Sequence, residues 1–133
     1  MFEIKKGNGK LKEFYYNGKL EFEGDYFDGK RNGKGKEYDK NGKLEYKGEY
    51  LNGERNGKGK EYYTDGKLKY VGEYLNGKRN GGGKEYYNDD ILKFEGEYLN
   101  GKFRKGKEKE FYICGIIIFE GEYLNGKIWN GKG

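Results

Sequence analysis

Proline, serine, alanine, histidine and glutamine are missing from these 133 residues, and cysteine, tryptophan, methionine and threonine occur once each. Each gap excludes chemistry. Without histidine or serine, the Ser-His and Cys-His nucleophile systems cannot be assembled. Zinc asks for histidine or a group of cysteines, and Cys114 stands alone. A single cysteine closes no intrachain disulfide, so no oxidising compartment is implied. No apolar run approaches the roughly 20 residues of a membrane-spanning helix. The opening MFEIKKGNGK holds no apolar stretch of leader length. These gaps predict a non-enzymatic chain that takes no cofactor or metal. They also predict a cytoplasmic placement, with cytoskeletal or membrane association left open.

What is present points the same way. Charged residues make up 38%, yet 28 Lys and Arg nearly balance 23 Asp and Glu, leaving a net charge of +5. Disordered segments are poor in aromatics and rich in Pro and Ser, whereas aromatics here reach 18%. Large rings and 26 glycines, with few mid-sized aliphatics, suit a thin sheet better than a thick globule.

The chain is periodic, the first property to seek in any sequence. FEGDYFDGKRNGKGKEY returns as YKGEYLNGERNGKGKEY, then as YVGEYLNGKRNGGGKEY and FEGEYLNGK, and FEGEYLNGKIWNGKG is the last copy. The central glycines Gly24, Gly48, Gly72, Gly96 and Gly121 are spaced by 24, 24, 24 and 25 residues. The extra residue is assigned to a loop tip between Asn100 and Gly106. One array over 1–133 is expected: a partial repeat at 1–21, repeats at about 22–45, 46–69, 70–93 and 94–118, and a partial repeat at 119–133.

Each repeat reads as a hairpin. Leu44, Tyr46, Gly48 and Tyr50 alternate with Lys43, Glu45, Lys47 and Glu49, a period of two with one apolar face. Asn-Gly or Asp-Gly punctuates most connections, the strongest short-range hairpin signal. The expected fold is all-β: an elongated, single-layer antiparallel meander of about ten strands. If NGERN is a five-residue loop, Leu51 opposes Gly57, Tyr46 opposes Tyr62 and Tyr50 opposes Lys58. A three-residue loop Asp65-Gly66-Lys67 with a bulge at Gly66 then keeps the rings on one side. That register predicts an aromatic ladder of Phe22, Tyr38, Tyr46, Tyr62, Tyr70, Tyr86 and Phe94. A second row, Tyr26, Tyr50, Tyr74, Tyr98 and Tyr123, lies near the loop ends. Glu49, Glu61, Lys69, Glu73, Gly57 and Gly59 fall on the opposite, solvated face.

Candidate contact surfaces follow. Lys30, Arg31, Arg55, Lys78, Arg79, Lys102 and Arg104 are expected at one loop edge, with Lys34, Lys36, Lys58, Lys60 and Lys84 just inside. Such a ribbon would meet an anionic membrane at about 1 kcal/mol per cation. Charge is spread thinly, however: residues 48–71 carry five cations against four anions, a net of +1. No concentrated basic patch for nucleic acid is evident. Ile113, Ile116, Ile117 and Ile118 form the least polar stretch, a structural cap or a partner surface. Unpaired strands at the sheet ends favour self-association. GKFRKGK at 101–107 imitates a phosphate loop, but Glu108 stands where Ser or Thr would hold magnesium.

The segment YKGEYLNGERNGKGKEYYTDG at 46–66 closely resembles the MORN repeat (membrane occupation and recognition nexus). The likeness lies in aromatic-x-Gly-Glu-aromatic, then Asn-Gly, Gly-x-Gly, Tyr and Asp-Gly, and about five copies cover nearly the whole chain. Tyr replaces the commoner Trp, and the period is 24 rather than 23. The resemblance implies an elongated β-meander, often dimeric, that serves as a scaffold, a membrane tether or a protein-binding module. A protein partner is therefore the leading expectation, with anionic phospholipid as the alternative.

Overall fold

The computed structural model describes residues 8–88, 90–111, 117–124 and 127–129, with side chains up to residue 105. One antiparallel sheet of eleven strands runs in strict sequence order, so each strand bonds only to its neighbours in the chain. The strands are β1 (Asn8–Phe14), β2 (Leu20–Phe27), β3 (Lys30–Tyr38), β4 (Leu44–Leu51), β5 (Glu54–Tyr62) and β6 (Leu68–Leu75). They continue as β7 (Lys78–Tyr86), β8 (Leu92–Leu99), β9 (Lys102–Phe111), β10 (Ile117–Leu124) and β11 (Lys127–Trp129). The expected all-β meander is observed.

Two kinds of turn alternate. At Asp28-Gly29, Asn52-Gly53, Asn76-Gly77 and Asn100-Gly101 both residues have positive φ, for example 51° and 90° at Asn52-Gly53. These are two-residue mirror-image turns, whose twist matches that of the flanking strands. At the other end of the sheet, Tyr63 N donates to Lys67 O and Gly66 N to Tyr63 O, both at 2.9 Å. The three-residue loop with its bulged Gly66 is thus present, one position earlier than expected: Thr64-Asp65-Gly66. Asp90 takes the corresponding glycine's place with φ 67°, a conformation that Asp tolerates better than most side chains.

The register differs from the expected one. Leu51 opposes Glu54, Tyr50 opposes Arg55 and Tyr46 opposes Glu61. NGERN is not a five-residue loop. Asn52-Gly53 makes the turn, and Asn56, Gly57 and Lys58 then stand opposite Glu49 alone, because Gly48 pairs with Gly59. Gly57 has φ 97° in this bulge, and Glu49 Oε2 accepts from Lys58 N at 3.2 Å. A one-residue difference in pairing inverts every side chain of a strand. Tyr38, Tyr62 and Tyr86 therefore leave the ladder and are only partly buried, while Glu61 and Gly59 join the ring face.

The ladder that forms interleaves the two predicted rows. Phe22, Tyr46 and Tyr70 are fully buried, and Tyr26, Tyr50, Tyr74 and Tyr98 nearly so. Their rings meet edge to face in a zigzag. Phe22–Tyr50, Tyr50–Tyr46, Tyr46–Tyr74, Tyr74–Tyr70 and Tyr70–Tyr98 have centroids 5.2, 5.5, 5.2, 5.6 and 5.0 Å apart. Aromatic pairs favour such contacts over face-to-face stacking. Each fully buried ring lies on a glycine of the next strand: Phe22 on Gly35, Tyr46 on Gly59, Tyr70 on Gly83. A Cβ on Gly59 would stand 2.4 Å from the Tyr46 hydroxyl oxygen and 2.5 Å from its ring.

The fourth repeat breaks the pattern. Gly96 opposes Gly106, ten residues on, where Gly72 opposes Gly83, eleven on. The stretch between Asn100 and Gly106 is thus one residue shorter than in its sisters, not longer, which corrects the placement of the extra residue. Phe103 consequently stands opposite Tyr98, where an arginine stands in the earlier repeats. Ile113 and Ile116, and the side chains of Ile117, Ile118 and Tyr123, lie outside the described residues.

Because the glycine seats are steric rather than conformational, Gly59→Ala is expected to lower unfolding stability by about 1–3 kcal/mol through overpacking. Urea denaturation followed by tyrosine fluorescence measures this, and an unchanged midpoint would contradict the ring-on-glycine contact.

Candidate functional site

The ring face is sealed by its own charges. Arg31, Arg55 and Arg79 lay their guanidinium groups over Phe22, Tyr46 and Tyr70, with Cζ 4.1, 4.1 and 4.2 Å from the ring centroids. Each arginine is held by the glutamate 18 residues earlier. Glu37 accepts from Arg55 Nε at 2.9 Å and Nη2 at 3.1 Å, and also from the Tyr50 hydroxyl. Glu13 treats Arg31 and Tyr26 in the same way, and Glu61 treats Arg79 and Tyr74. Glu85, whose expected arginine is replaced by Phe103, accepts instead from Arg79 Nη1 and the Tyr98 hydroxyl, both at 2.9 Å. Paired guanidinium–carboxylate forks are strong, directional contacts, and each clasp ties one repeat to the next.

Electrostatics follow from this geometry. Burial pushes the Glu37 and Glu61 carboxyls up, but Arg55 and Arg79 together with the tyrosine hydroxyls more than offset it. The same balance holds for Glu13, so all three lie below the usual glutamate range. Burial, then the adjacent Glu13 carboxylate, pushes the Tyr26 phenol up to about 12, and burial alone dominates for Tyr70, also raised to about 12. Near neutral pH the tyrosines remain donors, the glutamates acceptors and the arginines cations, each in the state its partner needs.

The predicted cationic edge therefore divides. Arg31, Arg55 and Arg79 are not available at a loop edge. The two-residue turn and the bulge place them on the ring face, 15–26% exposed and ion-paired. Lys30, Lys78 and Lys102 are exposed beside the mirror-image turns, Glu54 takes the equivalent place in the second repeat, and Arg104 is exposed one residue beyond Phe103. The structure does not gather these remaining cations into one site.

A different cationic surface emerges on the other face. Lys36 pairs with Lys47, and Lys47 with Lys60, so three lysines stand side by side on β3, β4 and β5. None has a carboxylate within ion-pair distance among the described residues. In the adjacent row the charges alternate: Lys34 faces Glu49, and Lys58 faces Glu73. There the carboxylates are already engaged. Asp25 accepts from Lys34 N at 3.0 Å and from Lys10 Nζ at 3.1 Å, and Glu73 accepts from Gly82 N at 3.1 Å. The backbone and Lys10 hydrogen bonds hold Asp25 below the usual carboxylate range. Beyond Val71 two lysines of these rows are paired, Lys84 with Glu95 at 3.8 Å and Lys105 with Glu97 at 3.1 Å. This face curves across β1–β6 around an open hollow of about 1120 Å³ that includes the triad.

Sequence reasoning had Lys36 and Lys60 near the loops but missed the row, because the one-residue register error put them out of line with Lys47. The doublet of glycines in each GKGK or GGGK run was the available signal. Gly33, Gly57 and Gly81 have positive φ in the bulges and the glycine two positions on, Gly35, Gly59 or Gly83, carries a ring, which fixes the parity of the lysine that follows. Among the described residues no group of three or more His, Cys, Asp or Glu side chains is placed to hold a metal ion.

The clasps carry a pH dependence with a definite sign. A carboxyl whose value falls on folding contributes stability that is fully present above its unfolded value, near 4.3, and is lost as pH falls through its native value. The urea midpoint should therefore decline steadily below about pH 4.5. Glu61→Gln should cost about 1–3 kcal/mol at neutral pH and flatten that decline; an equally steep decline in the variant would exclude the clasp as its source.

Comparison with known families agrees with the repeat geometry. The MORN repeat matches residues 46–67 and 70–90, and the MORN repeat variant matches residues 7–28 and 31–52. No curated protein matches the chain. The first two stretches run from a ring-bearing strand, β4 or β6, through the bulged strand that follows, and the variant stretches run from β1 or β3 into the ring-bearing strand that follows, so each match spans one pair of neighbouring strands of the array. The chain belongs to the MORN-repeat family.

Proposed function

We propose that this chain is a non-enzymatic scaffold that binds a protein partner. One observation carries the reading: the ring face spends its aromatic and ionic groups on joining repeats, whereas the opposite face presents a broad, regular surface with unpaired lysines. Nearest-neighbour stacking makes such arrays lengthen with repeat number into extended surfaces, which suits them to span and present. Cytoplasmic placement, with cytoskeletal or membrane association, accords with this role. Pairing between exposed edge strands would lengthen the array.

A second reading, contact with anionic phospholipid, is favoured by the same unpaired lysines and by Lys30, Lys78 and Lys102 at the turns. The two readings separate in one experiment. The immobilised chain is expected to retain a discrete protein that free chain displaces, and to sediment no more with phosphatidylserine vesicles than with neutral ones at moderate salt. Retention of nothing displaceable, together with sedimentation that depends on anionic lipid, would replace the scaffold by a membrane module.

A further inference from the structure

We infer that the lysine-lined hollow across β1–β6 seats an acidic segment of a partner protein, with carboxylates set against Lys36, Lys47 and Lys60. The inference rests on the scaffold reading and names the face and the chemistry of the occupant.

Like charges placed directly across a strand pair are destabilising, and here two such pairs share Lys47. The fold does not require them. The same cross-strand row has Glu23 opposite Lys36 at one end and continues at the other as Val71, then Lys84 with Glu95, and in the neighbouring row Lys34 and Lys58 each face a glutamate. A local rule broken at one place, against the pattern of the other repeats, marks a site where the missing partner comes from outside. Seven lysines and two glutamates line the hollow, whereas past Val71 Lys84 and Lys105, in the same two rows, each have a carboxylate.

The shape selects among anions. Six strands at about 4.8 Å give a trough on the order of 24 Å long, the reach of about seven extended residues or about 16 helical ones. A flat bilayer cannot follow a concave floor, but a peptide segment can lie in it. The walls are not purely polar: lysine stems present methylene surface, and Phe14, 53% exposed, and Val71 stand at opposite ends. The occupant is therefore a segment whose acidic middle is flanked by apolar residues.

The test uses the whole chain and a fluorescein-labelled oligoglutamate, leucine-flanked and long enough to cross six strands, followed by anisotropy at low ionic strength. Two variants lose equal charge: Lys36→Ser with Lys47→Ser and Lys60→Ser, and, as control, Lys30→Ser with Lys78→Ser and Lys102→Ser. The first should weaken binding by about tenfold or more and the control by less than about twofold. Equal losses, or no binding by the unaltered chain, would overturn the inference. So would tighter binding of phosphatidylserine vesicles or single-stranded DNA, abolished by the same three substitutions. Lys47→Glu supplies a readout independent of any ligand. It should unfold at higher urea than the unaltered chain while losing the peptide, and a lower midpoint would show that the row holds no repulsion to relieve. If the triad variant still retains the same cellular protein as the unaltered chain, the scaffold reading stands and this assignment of the face fails.

Discussion

An aromatic ring resting on a bare glycine backbone is the contact on which this sheet depends. A single-layer sheet has no second layer to cover its apolar side, and thin repeats bury too little surface to be stable alone. Placing Phe22, Tyr46 and Tyr70 flat against Gly35, Gly59 and Gly83 lets each ring sink to full burial within one layer. The guanidinium above completes the enclosure, and neighbouring rings close the sides edge-on. Glycine here serves the close approach of a ring rather than backbone freedom, which is why the ring and its seat recur together.

The Glu–Tyr–Arg clasp converts this local contact into an array. Because Glu37 belongs to one repeat and Tyr50 and Arg55 to the next, the ion pair is formed only when the two hairpins are in register. The arginine thereby serves three purposes: it caps a ring, balances a carboxylate and reports correct pairing. Where Phe103 replaces it, ring-on-ring contact with Phe94 at 4.5 Å takes over and Glu85 turns back to Arg79. The substitution keeps the core but ends the chain of inter-repeat clasps among the described residues.

With the arginines committed to the ring face, the two faces of the sheet differ in kind. One is a neutralised, self-covering core. The other faces lysines with carboxylates at Lys34–Glu49, Lys58–Glu73 and Lys84–Glu95, but sets Lys36, Lys47 and Lys60 side by side, where repulsion is left standing. That asymmetry is the basis for placing partner binding on the lysine face rather than along the turns. It also explains how a chain with a modest net charge can concentrate positive potential.

The repeat, the strands, the turn residues and the family were legible from sequence, because periodicity of two and Asn-Gly punctuation are local properties with local causes. Phe22, Tyr46, Tyr70 and Phe94 were likewise recognisable as ring-face positions. What sequence could not supply was parity. Whether Asn56, Gly57 and Lys58 belong to a loop or to a bulge is decided by Glu49 bonding to the Lys58 amide across the strand and by the fit of a ring over Gly59. Those contacts cross from one strand to its partner, and only the paired, three-dimensional hairpin settles them. On that single residue of register depended the departure of Tyr38, Tyr62 and Tyr86 from the ladder, the inward turn of Arg31, Arg55 and Arg79, and the alignment of three lysines on the other side.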